Sequence, residues 1–60
     1  MDKDLQEYLT QEINRVVSHA EAMSKTVTFI DIYESIPGVH TLQDFRIVMR
    51  ELYPKIKERT

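Results

Sequence analysis

The two histidines are the side chains of this sequence best suited to acid–base or metal chemistry. His19 and His40 fall in different predicted elements, and neither has a second ligand at a metal-binding spacing. Asp44 follows His40 by four residues across a predicted helix start, so an interaction between them is expected to be local capping, not a catalytic dyad. The absence of cysteine excludes disulfides, thiolate zinc sites and thiol redox chemistry. The sequence predicts a protein that is not an enzyme and uses no metal or cofactor.

A second set of side chains could read DNA bases. Gln43, Arg46 and Arg50 share one face of a predicted third helix. Arginine and glutamine can bind the edges of guanine and adenine bidentately in the major groove. Three basic residues follow that helix and would be available for phosphates, namely Lys55, Lys57 and Arg59. The pattern predicts DNA binding through the third helix, as in a small transcriptional regulator.

Two isoleucines favour a different function. Ile30 and Ile47 lie off the apolar stripes of their predicted helices, and exposed aliphatic side chains that adjoin would mark a partner site. The alternative hypothesis is therefore a regulator or inhibitor, of the kind that bacteria and phages encode, which docks on a larger protein. In a third interpretation the chain is a homodimer whose aliphatic side chains meet across a two-fold axis.

Hydrophobic periodicity and capping residues predict three helices that would position these side chains. The first helix is predicted over residues 4–23, with Asp4 as N-cap and Glu7 three residues on, as in a capping box. The second runs from Phe29 to residue 35 or 36, after Thr28 as N-cap. The third follows Thr41 and is stopped by Pro54 after Tyr53. Residues 25–28 are expected to be an extended linker, although their β-branched cluster is also compatible with a short strand.

The stretch "SIPGVHTLQDF" (residues 35–45) marks the end of one helix and the beginning of the next. Pro37 disfavours helical geometry at Ile36, and Gly38 is free to take a left-handed conformation. Over residues 28–53 the pattern resembles trihelical helix-turn-helix domains, which implies a recognition helix in the third position. The pattern departs from those domains in having Glu34 where a small residue is usual, a turn about one residue longer, and no wing hairpin.

Length and charge define the class of protein. The 60 residues, 42% apolar and 30% charged, predict one all-α domain, a three-helix bundle with a small core. The polar, acidic N-terminal stretch and the lack of a long apolar run predict a cytoplasmic protein without a signal peptide or membrane span.

The charges are unevenly distributed along the chain. The net charge is −2, yet residues 1–24 carry five acids against two bases, and residues 45–60 carry five bases against two acids. This layout can present a basic face on an acidic protein.

Overall fold

A computed structural model describes residues 1–38 and 40–58 of the chain. Their regular structure consists of three α-helices, α1 (Lys3–Ala22), α2 (Phe29–Ser35) and α3 (Leu42–Leu52). The predicted all-α fold with three helices is confirmed. Residues 25–28 form a linker in neither helix nor strand, and Thr28 at its end has an extended backbone with φ −94° and ψ 169°. None of the described helices is long and apolar enough to cross a membrane.

Side-chain caps determine where the helices begin. Asp2, not Asp4, caps α1, because its Oδ1 accepts a hydrogen bond from the backbone N–H of Asp4 at 3.2 Å. The predicted cap was therefore wrong by two residues, and α1 begins at Lys3, one residue before the predicted range. Thr28 and Asp31 form a reciprocal capping box at α2, with two hydrogen bonds of 3.1 Å. At α3, Thr41 accepts a hydrogen bond from the Asp44 N–H, also at 3.1 Å.

α1 ends in a Schellman motif without a glycine. Ser24 takes a left-handed φ of 55°. The N–H of Lys25 donates to the Ala20 carbonyl at 2.8 Å, and the N–H of Ser24 donates to the Glu21 carbonyl at 3.0 Å. These are the two hydrogen bonds that define the motif, and they satisfy carbonyls that the helix end leaves unpaired.

The core forms where α1 packs against both α2 and α3. At its centre the rings of Phe29 and Phe45 meet edge to face, with centroids 4.9 Å apart. The buried cluster takes residues from all three helices and from the α2 end: Leu9, Ile13, Val17, Phe29, Ile32, Ile36, Phe45, Val48 and Met49. Met23, the last residue of the range predicted for the first helix, is 51% exposed and lies just beyond the end of α1.

The connector between α2 and α3 is held against α1. Gly38 has a φ of +107°, as its predicted conformational freedom allows. The Tyr8 hydroxyl on α1 donates a hydrogen bond to the Pro37 carbonyl. The next residue of the connector, Val39, lies outside the described residues. The connector spans six residues, 36 to 41, and so is longer than the three- or four-residue turn of helix-turn-helix motifs.

Candidate nucleic-acid interface

α3 has one face in the core and one in solvent. Phe45, Val48 and Met49 are buried. Gln43, Ile47 and Arg50 are exposed, and their spacing of four and three residues makes them neighbours on the helix surface. We call these three residues the outer face of α3. The predicted candidates Gln43 and Arg50 are therefore together and accessible to a partner.

Arg46 lies beside the outer face and is engaged in an ion pair. Its Nε and Nη2 both donate to the carboxylate of Glu58, the Nη2 contact being 3.0 Å long. The hydrogen bonds that Arg46 donates to Glu58 raise the pKa of Arg46 above its already high ordinary value, so the guanidinium stays charged. Of the three predicted base-reading residues, Arg46 is the one that an acidic side chain of the same molecule holds.

The C-terminal segment (residues 53–58) folds back towards α3. After α3 ends, the Ile56 N–H donates to the Tyr53 carbonyl at 3.0 Å, and the half-buried Ile56 side chain packs against the core. This return brings Glu58 to Arg46, twelve residues away in sequence. Lys55 and Lys57 are exposed, and Arg59, the third predicted phosphate contact, lies outside the described residues.

A cavity of about 340 Å³ lies between α3 and the C-terminal segment. Its lining combines apolar side chains with three cations and one carboxylate: Phe29, Arg46, Met49, Arg50, Pro54, Ile56, Lys57 and Glu58. Sequence analysis identified the three cations but missed Glu58 and the apolar residues. No local pattern could have identified them, because the chain reversal at Pro54 creates the cavity.

The two isoleucines of the alternative hypothesis are both exposed, Ile30 by 44% and Ile47 by 45% of their surface. Ile47 lies in the middle of the outer face of α3, between Gln43 and Arg50. Ile30 belongs to α2, where it follows the buried Phe29. The structure thus places one apolar side chain directly among the polar residues predicted to read DNA.

The histidines are placed separately. His19 is exposed in the last turn of α1. His40 packs edge to face on Tyr33 with a centroid distance of 5.1 Å, and lies 6.3 Å from the ring of Phe45. Neither nitrogen of His40 has a hydrogen-bond partner among the described residues, so no hydrogen bond joins the side chains of His40 and Asp44 there. Within residues 1–38 and 40–58, no cluster of three acidic, histidine or cysteine side chains could hold a metal ion.

Comparison with known proteins found no matching family model, no matching curated protein and no matching solved structure.

Proposed function

We propose that this chain is a small, non-enzymatic regulatory protein of the cytoplasm that binds duplex DNA through α3. The observation that carries the proposal is the outer face of α3, where Gln43 and Arg50 are exposed on the same side of the helix, about two turns apart. Side chains of these two types recognise adenine and guanine in the major groove. Lys55 and Lys57 follow α3, are exposed, and would contact phosphates on either side of the groove.

Titration of a fluorescent mixed-sequence duplex, followed by anisotropy at low salt, tests this proposal. Arg50→Ala is expected to weaken binding by about tenfold, because one arginine contact with DNA is lost. Arg15→Ala is the matched control, since Arg15 is an exposed arginine on α1 that pairs with Glu12 at 2.8 Å. Affinity should fall steeply as salt rises, because phosphate contacts release counterions. The proposal is refuted if the wild type does not bind the duplex at low salt, or if Arg50→Ala and Arg15→Ala lose the same amount of affinity.

Ile47 favours a second candidate function, docking on a protein partner. An aliphatic side chain that is 45% exposed at the centre of the outer face suits an apolar contact better than a base edge. If the chain docks on a protein, nuclease treatment of a cell extract leaves capture of the partner unchanged. Ile47→Asp then no longer captures that partner, although its far-ultraviolet circular dichroism spectrum is unchanged. Capture that disappears with nuclease supports DNA instead. Capture that survives both nuclease and Ile47→Asp excludes this face.

A further inference from the structure

The cavity between α3 and the C-terminal segment is a concave site lined by several charged side chains. At about 340 Å³ it lies at the lower end of the size range of small-ligand pockets. Arg46 and Arg50 enter it from successive turns of α3, and Lys57 enters it from the returning segment. Three cations thus converge from two separate parts of the chain.

The Arg46–Glu58 pair shows how an anion sits in this cavity. Arg46 uses two nitrogens of its guanidinium plane on the two oxygens of one carboxylate. The same planar donor arrangement binds two oxygens of a phosphate group, which is why arginine recurs at both kinds of anion. The Glu58 carboxylate therefore occupies the position that a phosphate group would take on Arg46.

Charge and burial in the cavity indicate what it would bind. With Glu58 in place, the cations Arg50 and Lys57 have no ion-pair partner among the described residues. One carboxylate therefore leaves the lining with an excess of two positive charges. The floor is apolar, since Phe29 and Met49 are 2% and 1% exposed. A phosphate group that is attached to a larger molecule matches the excess positive charge and the apolar floor better than a second carboxylate does.

We propose that this cavity binds a phosphate group through Arg46, Arg50 and Lys57, and that Glu58 is an internal competitor that occupies Arg46 in the free protein. The phosphate belongs either to a small phosphate ester or to a DNA backbone, and the chemistry of recognition is the same. The inference does not depend on the proposed function, because a free phosphate ester would be bound by a protein that never contacts DNA.

Glu58→Gln is the decisive variant. The amide is nearly isosteric with the carboxylate but neutral, and its single acceptor oxygen competes for Arg46 more weakly than the carboxylate does. Glu12→Gln is the matched control, because it removes one negative charge from the other arginine–glutamate pair, on α1. Both variants are titrated with inorganic phosphate at constant ionic strength, and binding is followed by nuclear magnetic resonance shifts of the backbone amides.

Glu58→Gln is expected to bind inorganic phosphate about two- to fivefold more tightly than Glu12→Gln, the range that releasing one exposed ion pair allows. Amide shifts should be concentrated in α3 and at residues 57–58. Arg50→Gln and Lys57→Gln should each weaken binding, whereas Arg15→Gln should not. Equal affinities of Glu58→Gln and Glu12→Gln, or shifts spread over other helices, would overturn the proposal.

The duplex titration described above distinguishes the two sources of phosphate. If Glu58→Gln also binds DNA more tightly than Glu12→Gln does, the cavity accepts a backbone phosphate. If only the inorganic phosphate affinity rises, the cavity serves a small phosphate ester. A wild type that fails to bind DNA refutes the proposed function, while the phosphate titration still decides the inference.

Discussion

At the residue scale, the backbone conformation of Gly38 restricts which residue types the connector can hold at position 38. Its φ of +107° is rarely adopted by residues with a Cβ. A Cβ built there would lie 3.2 Å from the Tyr8 hydroxyl oxygen, the same group that holds the Pro37 carbonyl. The one glycine of the chain thus permits both the turn and the close approach of α1.

Gly38→Ala is expected to lower the free energy of unfolding by about 1–2 kcal/mol, because alanine is strained at positive φ. Urea denaturation followed by circular dichroism measures the change. Lys25→Ala is the control, since Lys25 is exposed in the extended linker and is expected to leave the midpoint within experimental error. An unchanged midpoint for Gly38→Ala would show that the connector relaxes without cost.

At the element scale, each helix separates residues of the same type into core and solvent. Within α2, Ile32 is fully buried and Ile30 is 44% exposed, although only two positions separate them. Two residues correspond to about 200° of rotation around a helix, so the side chains point in nearly opposite directions. The seven-residue α2 is too short to be stable alone and depends on this packing and on its capping box.

Replacing isoleucine by valine at each position measures how much more the buried Ile32 contributes to stability than the exposed Ile30. Ile32→Val is expected to cost about 0.5–1.5 kcal/mol of unfolding free energy, because it removes a buried methyl group. Ile30→Val makes the same chemical change at an exposed position of α2, so the change in helix propensity is similar and the expected loss is close to zero. Equal losses in thermal or urea denaturation would contradict the assigned faces of α2.

At the scale of the whole molecule, two tyrosines of different elements join distant parts of the chain. Tyr8 connects α1 to the connector at Pro37, 29 residues away. The Tyr53 hydroxyl donates to Asn14 Oδ1 at 2.5 Å, and so links the end of α3 to the middle of α1 across 39 residues. Both contacts hold α1 to the other elements around the small core.

A double-mutant cycle on Tyr53 and Asn14 tests the longer connection. Tyr53→Phe and Asn14→Ala are each expected to lower the free energy of unfolding by about 0.5–1.5 kcal/mol, the net value of one hydrogen bond. The double variant should lose less than the sum, because both changes remove the same bond. Tyr33→Phe is the control, since the Tyr33 hydroxyl makes no hydrogen bond within the described part of the chain. Strict additivity would show that the bond contributes nothing in solution.

Local signals were sufficient for most of the architecture. The steps of three and four between apolar residues, the caps Thr28 and Thr41, and the stop at Pro54 predicted α2 and α3 nearly to the residue. Capping depends on side chains only three positions apart, so it can be predicted from the sequence. The end of α1 was harder to predict, because Ser24 takes the left-handed conformation at a position where glycine is usual.

Apolar periodicity and capping residues are enough to define three helices, their inward faces, and therefore which residues of α3 face solvent. How those residues are used depends on the tertiary structure, because contacts across twelve or more positions are set by the path along which the chain folds back. The return at Pro54 places Glu58 on Arg46, leaves Arg50 exposed, and encloses the cavity. A charge pattern along one helix predicts where cations lie, but their partners depend on the path of the whole chain.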